Sequence, residues 1–423
     1  MMTDEFKYLI HLLSAAATGN NACKPDKPPD WHRLIKIAEK QNILPLIGFA
    51  VNHFAGLGCP ADLCGRVTAD LKILAVRNYI RRYRVSELLG DMEKAGIHYV
   101  LIKGYAVADY YFAPECRVSA DTDILINPAD EHRACSFLAG RGFAIRGRGK
   151  NGHHSVCIHP DMGMIELHVR LFDKIVEDVW FDKVNRYQLI QEPFIRLRID
   201  MVYCRTLGHT DHMIYLAMHM AKHFITSGLS LSMIMDIAVY FKTNQRLIDT
   251  GRFWRTLSRL KYSGLINCIL TAAITYMHFE TDDFPGICTY DERAVDMLMT
   301  DLEVGGWLGK NDKRAREDGW HEYNRRKLLK GQKSSYYNYY MCRWMLGEFC
   351  YEFFPSRQQL IKRYPYLQHK PWLFPSAWVH RVFIRGLTGL FRGDASRRFV
   401  TGEEGLSKAG RDRIQMFQML KMM

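Results

Sequence analysis

The strongest constraint on this chain is a change of hydrophobic period. Outside residues 97–171, apolar side chains recur mostly at helical spacing; inside that window they gather into short β-branched runs between turns. Ile97–Ile102 (IHYVLI), Thr122–Ile126 entered from Asp121, Ser155–His159 and Met164–Val169 read as strands. Pro160-Asp161-Met162-Gly163 joins the last two as a hairpin turn. Tyr105–Phe112 reads as a short helix, and Asn127-Pro128 opens another that runs through Leu138. There Asn127 supplies the N-cap oxygen, and Pro128 takes the first helical position, where no N–H is needed.

The flanks read as helical. Trp31–Phe54 places Leu34, Ile35, Ile37, Ala38 and Ile43 at near-helical spacing until Pro45 interrupts it. Asp62–Ala95, with Leu71, Leu74, Ala75, Tyr79 and Tyr83 along one side, stops at Gly96, a C-terminal cap. The chain beyond Trp180 reads as largely helical, with a turn at Asp282–Gly286, and prolines 355, 365, 371 and 375 keep the last helices short. The expectation is an α+β fold: a small mixed sheet with a helical N-terminal segment and a large helical C-terminal part. Three regions follow: residues 1–95, 96–180 and 181–423. We find no internal repeat.

Composition narrows the function classes. No apolar run approaches the roughly 20 residues of a transmembrane helix, and Met1–Lys7 lacks the apolar segment of a signal peptide. A cytoplasmic protein is expected. The eleven cysteines contain no C-x-x-C pair, which argues for reduced thiols rather than a zinc ribbon or redox motif. Of the formal net charge of +13, residues 301–423 carry +11. That basic third could meet nucleic acid, an anionic membrane or a polyphosphate substrate, or could be an ordinary solvated helical surface.

Within the sheet region, Asp121 and Asp123 stand two apart at the start of a strand, so alternation places both carboxylates on one face. Two such groups repel unless a proton or cation lies between them, and magnesium suits them, because it binds through one or two carboxylates plus substrate phosphates. Glu166 lies between Ile165 and Leu167 in a strand. Burial there would require a partner or a metal, while the solvent face of a half-buried hairpin is equally open to it. Lys103-Gly104 follows a strand and precedes a helix, a turn that lets backbone approach a phosphate, with Lys103 as a point charge.

The order of these features resembles the DNA polymerase beta–type nucleotidyltransferase superfamily, and more narrowly it is similar to a bacterial family of uncharacterised nucleotidyltransferases. The residues that carry the likeness are LIKG (Leu101–Gly104), RVSADTDILI (Arg117–Ile126) and IELH (Ile165–His168). Met218-His219 to His223, Asp236, and the Tyr364-Pro365 and Phe374-Pro375 elements match the family's remaining part. The turn lacks the superfamily's usual serine, and Thr122 replaces an apolar residue, on the face away from the acids if the strand is regular.

The resemblance implies a magnesium-dependent transfer of a nucleoside monophosphate, AMP or another, from a nucleoside triphosphate to an acceptor hydroxyl, with pyrophosphate leaving. Two magnesium ions would be held by Asp121, Asp123 and Glu166. Lys103, Gly104, Arg117 and His168 would contact phosphate or acceptor. The acceptor, whether a small molecule, a protein or RNA, stays open. So does a degenerate member that binds nucleotide or nucleic acid without turnover. His219 and His223, four apart on a helix, share a face and are expected near the cleft rather than on zinc, because Met220 stands where the metalloprotease motif needs glutamate.

Overall fold

The computed structural model describes residues 2–305 except 26, 148–152, 173–188 and 201, then 364, 367, 371–380 except 378, and 408–422. Four helices come first: α1 (Asp4–Thr18), α2 (Trp31–Lys40), α3 (Leu44–His53) and α4 (Ala61–Lys94). Thr3 caps α1 by accepting from the Phe6 N–H, and Asp30 caps α2 through Arg33. Asn42, with φ of 57°, turns the chain between α2 and α3, and Pro45 lies in the first turn of α3. Gly96, at φ 70°, ends α4 in the left-handed region that glycine enters without strain.

The sheet follows. β1 (Tyr99–Ile102), the single-turn helix α5 (Tyr105–Ala108), β2 (Asp121–Ile126), α6 (Glu131–Ala139), β3 (Ala144–Arg146), β4 (His154–His159) and β5 (Gly163–His168) succeed one another. Asn127 accepts from the Ala129 N–H and caps a 3-10 turn that leads into α6, as its sequence position suggests. α5 is half the expected length, ending at Ala108 rather than Phe112.

A larger correction concerns the stretch after Trp180, which reads as helical. Ile195–Ile199 and Val202–Thr206 form a hairpin, β6 and β7, and β7 pairs in parallel with β1. The sheet thus has seven strands in the order β3-β4-β5-β2-β1-β7-β6, with parallel and antiparallel pairs mixed. The alternation Ile195-Arg-Leu-Arg-Ile199 carries period 2 in plain view. The helical periodicity that follows from His209 obscures that five-residue signal.

Helices follow again: α7 (His209–Thr226), α8 (Leu231–Asn244), α9 (Thr250–Arg259), α10 (Ser263–Met277), α11 (Glu292–Gly305) and, near the C-terminus, α12 (Lys408–Met419). None of the described helices is long and apolar enough to cross a membrane. The nine described cysteines are free thiols. Most of the basic third, including Pro355, Arg381, Arg385 and Arg392, lies outside the described residues.

Two apolar cores hold the sheet. On one face Tyr99, Leu101, Ile124, Ile165 and Leu167 pack against Val85, Leu88 and Met92 of α4 and Ala134 and Leu138 of α6. On the other, Val100, Ile102 and Leu125 join a larger core built from α1–α3 and α7–α11. α4 departs from its expected face in the middle: Tyr79 is 55% and Tyr83 37% exposed, while Asn78 and Arg82 are buried. Polar contacts account for this. Asn78 donates to the Glu115 carbonyl, and Arg82 pairs with Asp109 and Asp200.

Truncating the β5 side of the smaller core tests this packing. Leu167→Ala should cost about 2–5 kcal/mol of stability, read as a lower urea midpoint with an unchanged slope.

Candidate active site

β2 and β5 lie side by side in parallel, with Asp123 opposite Glu166 and Leu125 opposite His168. Because side chains alternate, Asp121, Asp123, Glu166 and His168 share one face. Thr122 turns to the other, where it is buried among apolar residues with its hydroxyl unpartnered. The ambiguity over Glu166 is thereby resolved: its side chain joins the two aspartates.

The face is dense with charge. Nζ of Lys103 lies 2.7 Å from Oδ1 of Asp123, and Nε2 of His168 lies 2.7 Å from the same oxygen and 3.2 Å from Oε2 of Glu166. Burial alone would raise the Asp123 pKa, but the charge of Lys103 and the bond from His168 outweigh it and hold the carboxyl well below its usual range. Lys103 is raised in turn: burial lowers it, and Asp123 more than offsets that. Glu166 falls below its ordinary value, because the hydrogen bond from His168 overcomes burial. Asp121 differs. Burial, then the charge of Asp123, pushes it up to about 6, and it makes no ion pair among the described residues.

Local backbone aims these groups. Lys103 has φ of 56° and Gly104 φ of 35°, so the chain leaves β1 through a tight reversal. A Cβ on Gly104 would meet the Ser119 hydroxyl at a tight 3.1 Å, and the positive φ strains any side chain there. The first turn of α5 uses its N–H groups internally, with Ala106 donating to Lys103 and Val107 and Ala108 to Gly104. Arg81 of α4 donates to the carbonyls of Met162, Ser119 and Ala120, tying the segment before β2 to the β4–β5 turn.

The acids line a cavity of about 410 Å³ closed on its far side by α7 and the start of α8, within the usual range of ligand sites. All the expected site residues (Lys103, Gly104, Arg117, Asp121, Asp123, Glu166 and His168) reach its wall. Their engagements differ. The guanidinium of Arg117 is committed to Asp236 of α8 through contacts of 3.1 and 2.5 Å, and Asp236 also accepts from Tyr111. His219 and His223 reach the cavity as their spacing suggests: Nε2 of His219 lies 3.3 Å from Nζ of Lys103 and 3.1 Å from Nε2 of His223. Burial, then nearby lysines, lowers both pKa values, that of His223 to about 3.

Sequence reasoning missed His153 and His154, which also line the cavity. The hairpin held the signal. Counting back from its turn, the register that pairs His159 with Gly163 also pairs His154 with His168.

The donor set suits a hard cation. Three carboxylates meet on one face, half-buried Asp121 makes no ion pair among the described residues, and both contacts to Asp123 fall on Oδ1, leaving Oδ2 for another partner. Magnesium takes such oxygens.

The sequence profile of a family described as uncharacterised nucleotidyltransferase matches residues 27–277, more than half of the 423 residues. No curated protein and no solved structure matches the chain.

Two outcomes test the electrostatics. Side chains of Arg117 and Asp236 are 11% and 10% exposed, so Asp236→Ala strands a buried cation and should cost about 3–5 kcal/mol in urea unfolding. In the folded chain Asp121 keeps its proton up to about 6, whereas unfolded it loses it near 3.8. The ionised side chain therefore lowers stability above that higher pH, and the penalty vanishes below the unfolded value. In magnesium-free buffer, Asp121→Asn should raise the unfolding midpoint at pH 7.5 and leave it unchanged at pH 3.5.

Proposed function

The chain belongs to a family of uncharacterised nucleotidyltransferases, and from that premise we propose a magnesium-dependent enzyme that moves a nucleoside monophosphate from a triphosphate to an acceptor hydroxyl. The observation that carries this reading is the convergence of Asp121, Asp123 and Glu166 on one face of β2 and β5 at the cavity wall. This is the acid pattern for which the chain resembles the DNA polymerase beta–type superfamily.

Magnesium held by Asp121, Asp123 and Glu166, two ions by analogy with that superfamily, would neutralise the triphosphate and make an acceptor hydroxyl more acidic. The acceptor oxygen would attack the α-phosphorus in line, the bond to the bridging oxygen would break, and pyrophosphate would leave. Lys103 and His168 keep Asp123 ionised and oriented through their shared contacts with Oδ1. Arg117 acts through Asp236, anchoring the approach to β2 against α8, while Gly104 permits the reversal that aims Lys103. Asp121 holds its proton up to about 6 and is ionised above that, which makes it an open ligand at neutral pH.

Supplying magnesium, α-labelled triphosphates in turn and cell extract as acceptor source should give a labelled product and pyrophosphate. Asp123→Asn should cut the labelling rate at least about a hundredfold, since even outer-shell partners of a metal cost up to that much. Absence of transfer with every triphosphate, together with nucleotide binding that Asp121→Asn leaves untouched, would overturn the catalytic reading in favour of a binding protein.

A further inference from the structure

Beside the carboxylates stands a cluster of imidazoles, of which the proposed transfer uses only His168, through its Nε2. We propose that His153, His154 and His168 form a binding site for a borderline transition-metal ion of the zinc type, distinct in ligand chemistry from the carboxylate site. Each of the three offers one nitrogen, and these nitrogens lie within 4.8 Å of one another.

The hairpin builds the cluster. β4–β5 pairing sets His154 opposite His168, and the His153 carbonyl accepts from the Val169 N–H at 2.9 Å, holding the preceding residue against the same strand. Ring centroids lie 4.5 Å apart for His153 and His154, 5.1 Å for His153 and His168, and 5.0 Å for His154 and His168. Nδ1 of His154 is 3.3 Å from Nε2 of His153. His153 and His168 are 8% and 2% exposed. Nε2 of His168 faces Asp123 and Glu166, whereas its Nδ1 is buried with no hydrogen-bond partner. A buried, unpartnered nitrogen beside two further imidazoles is costly unless something binds it.

Ligand chemistry selects the ion. Imidazole nitrogen suits zinc, cobalt, nickel or copper, whereas magnesium takes oxygen. Lys103 and Lys222 at the cavity oppose a second cation there, and the three carboxylates of the same wall counter them. Three nitrogen donors leave one position of a tetrahedral ion for water or substrate.

The test uses the untagged full chain in magnesium buffer without nucleotide, so that it is independent of any transferase activity. Cobalt is titrated as a probe, read by its visible d–d absorption, and bound zinc or cobalt is counted by metal analysis after dialysis. One ion per chain is expected. His153→Ala and His154→Ala should each weaken cobalt binding at least about tenfold, the lower end of the effect of outer-shell losses, with circular dichroism confirming the fold. Asp121→Asn should leave the stoichiometry at one. The idea is overturned if the wild-type chain binds no cobalt, or if Glu166→Gln abolishes binding while both histidine variants bind as wild type. Transfer that fails while cobalt binds would remove the enzymatic reading and leave this site standing.

Discussion

The parallel pairing of β2 with β5 is the interaction on which the rest depends. Its register places Asp123 beside Glu166 and, through alternation, Asp121 on the same face. Three carboxylates so close together would repel one another in a buried setting. Lys103 and His168, both in contact with Oδ1 of Asp123, offset part of that repulsion. Burial, and after it the charge of Asp123, shows itself at Asp121, whose carboxyl holds its proton up to about 6.

The helices convert this charged face into a cavity. α4 and α6 cover the opposite side of the sheet with apolar packing, so the acids are backed by a rigid layer rather than a loop. α7 and α8 close the other side, and the Arg117–Asp236 fork ties the entry of β2 to α8. Arg81 performs a similar service from α4 through three carbonyls. Both arginines thus work on the backbone geometry around the acids, one through a carboxylate and the other through peptide oxygens.

Much of the sheet region was legible because its signals are local. Turn residues at Pro160–Gly163 and the Asn127 cap mark where strand gives way to turn or helix, and alternation around Asp121 and Asp123 fixes which side chains share a face. The β6–β7 hairpin escaped because a five-residue alternating run is a weak signal beside the long helical periodicity that follows it. Tyr79 and Tyr83 look like core residues at helical spacing, yet Asn78 and Arg82 turn inward, since they find loop carbonyls and carboxylates that only the folded chain brings near.

By itself, then, the sequence determined the acids, their shared strand face and the hairpin that follows, because period and turn chemistry act between neighbours along the chain. Whether Glu166 faced solvent or the aspartates depended on which strand β5 would lie against, and that is a long-range choice. The same holds for Arg117, whose partner lies 119 residues away in Asp236, and for Lys103, which meets Asp123 only once β1 and β2 pair. Tertiary structure decided these engagements because a charge that leaves water takes whichever opposite charge the packed elements bring within reach.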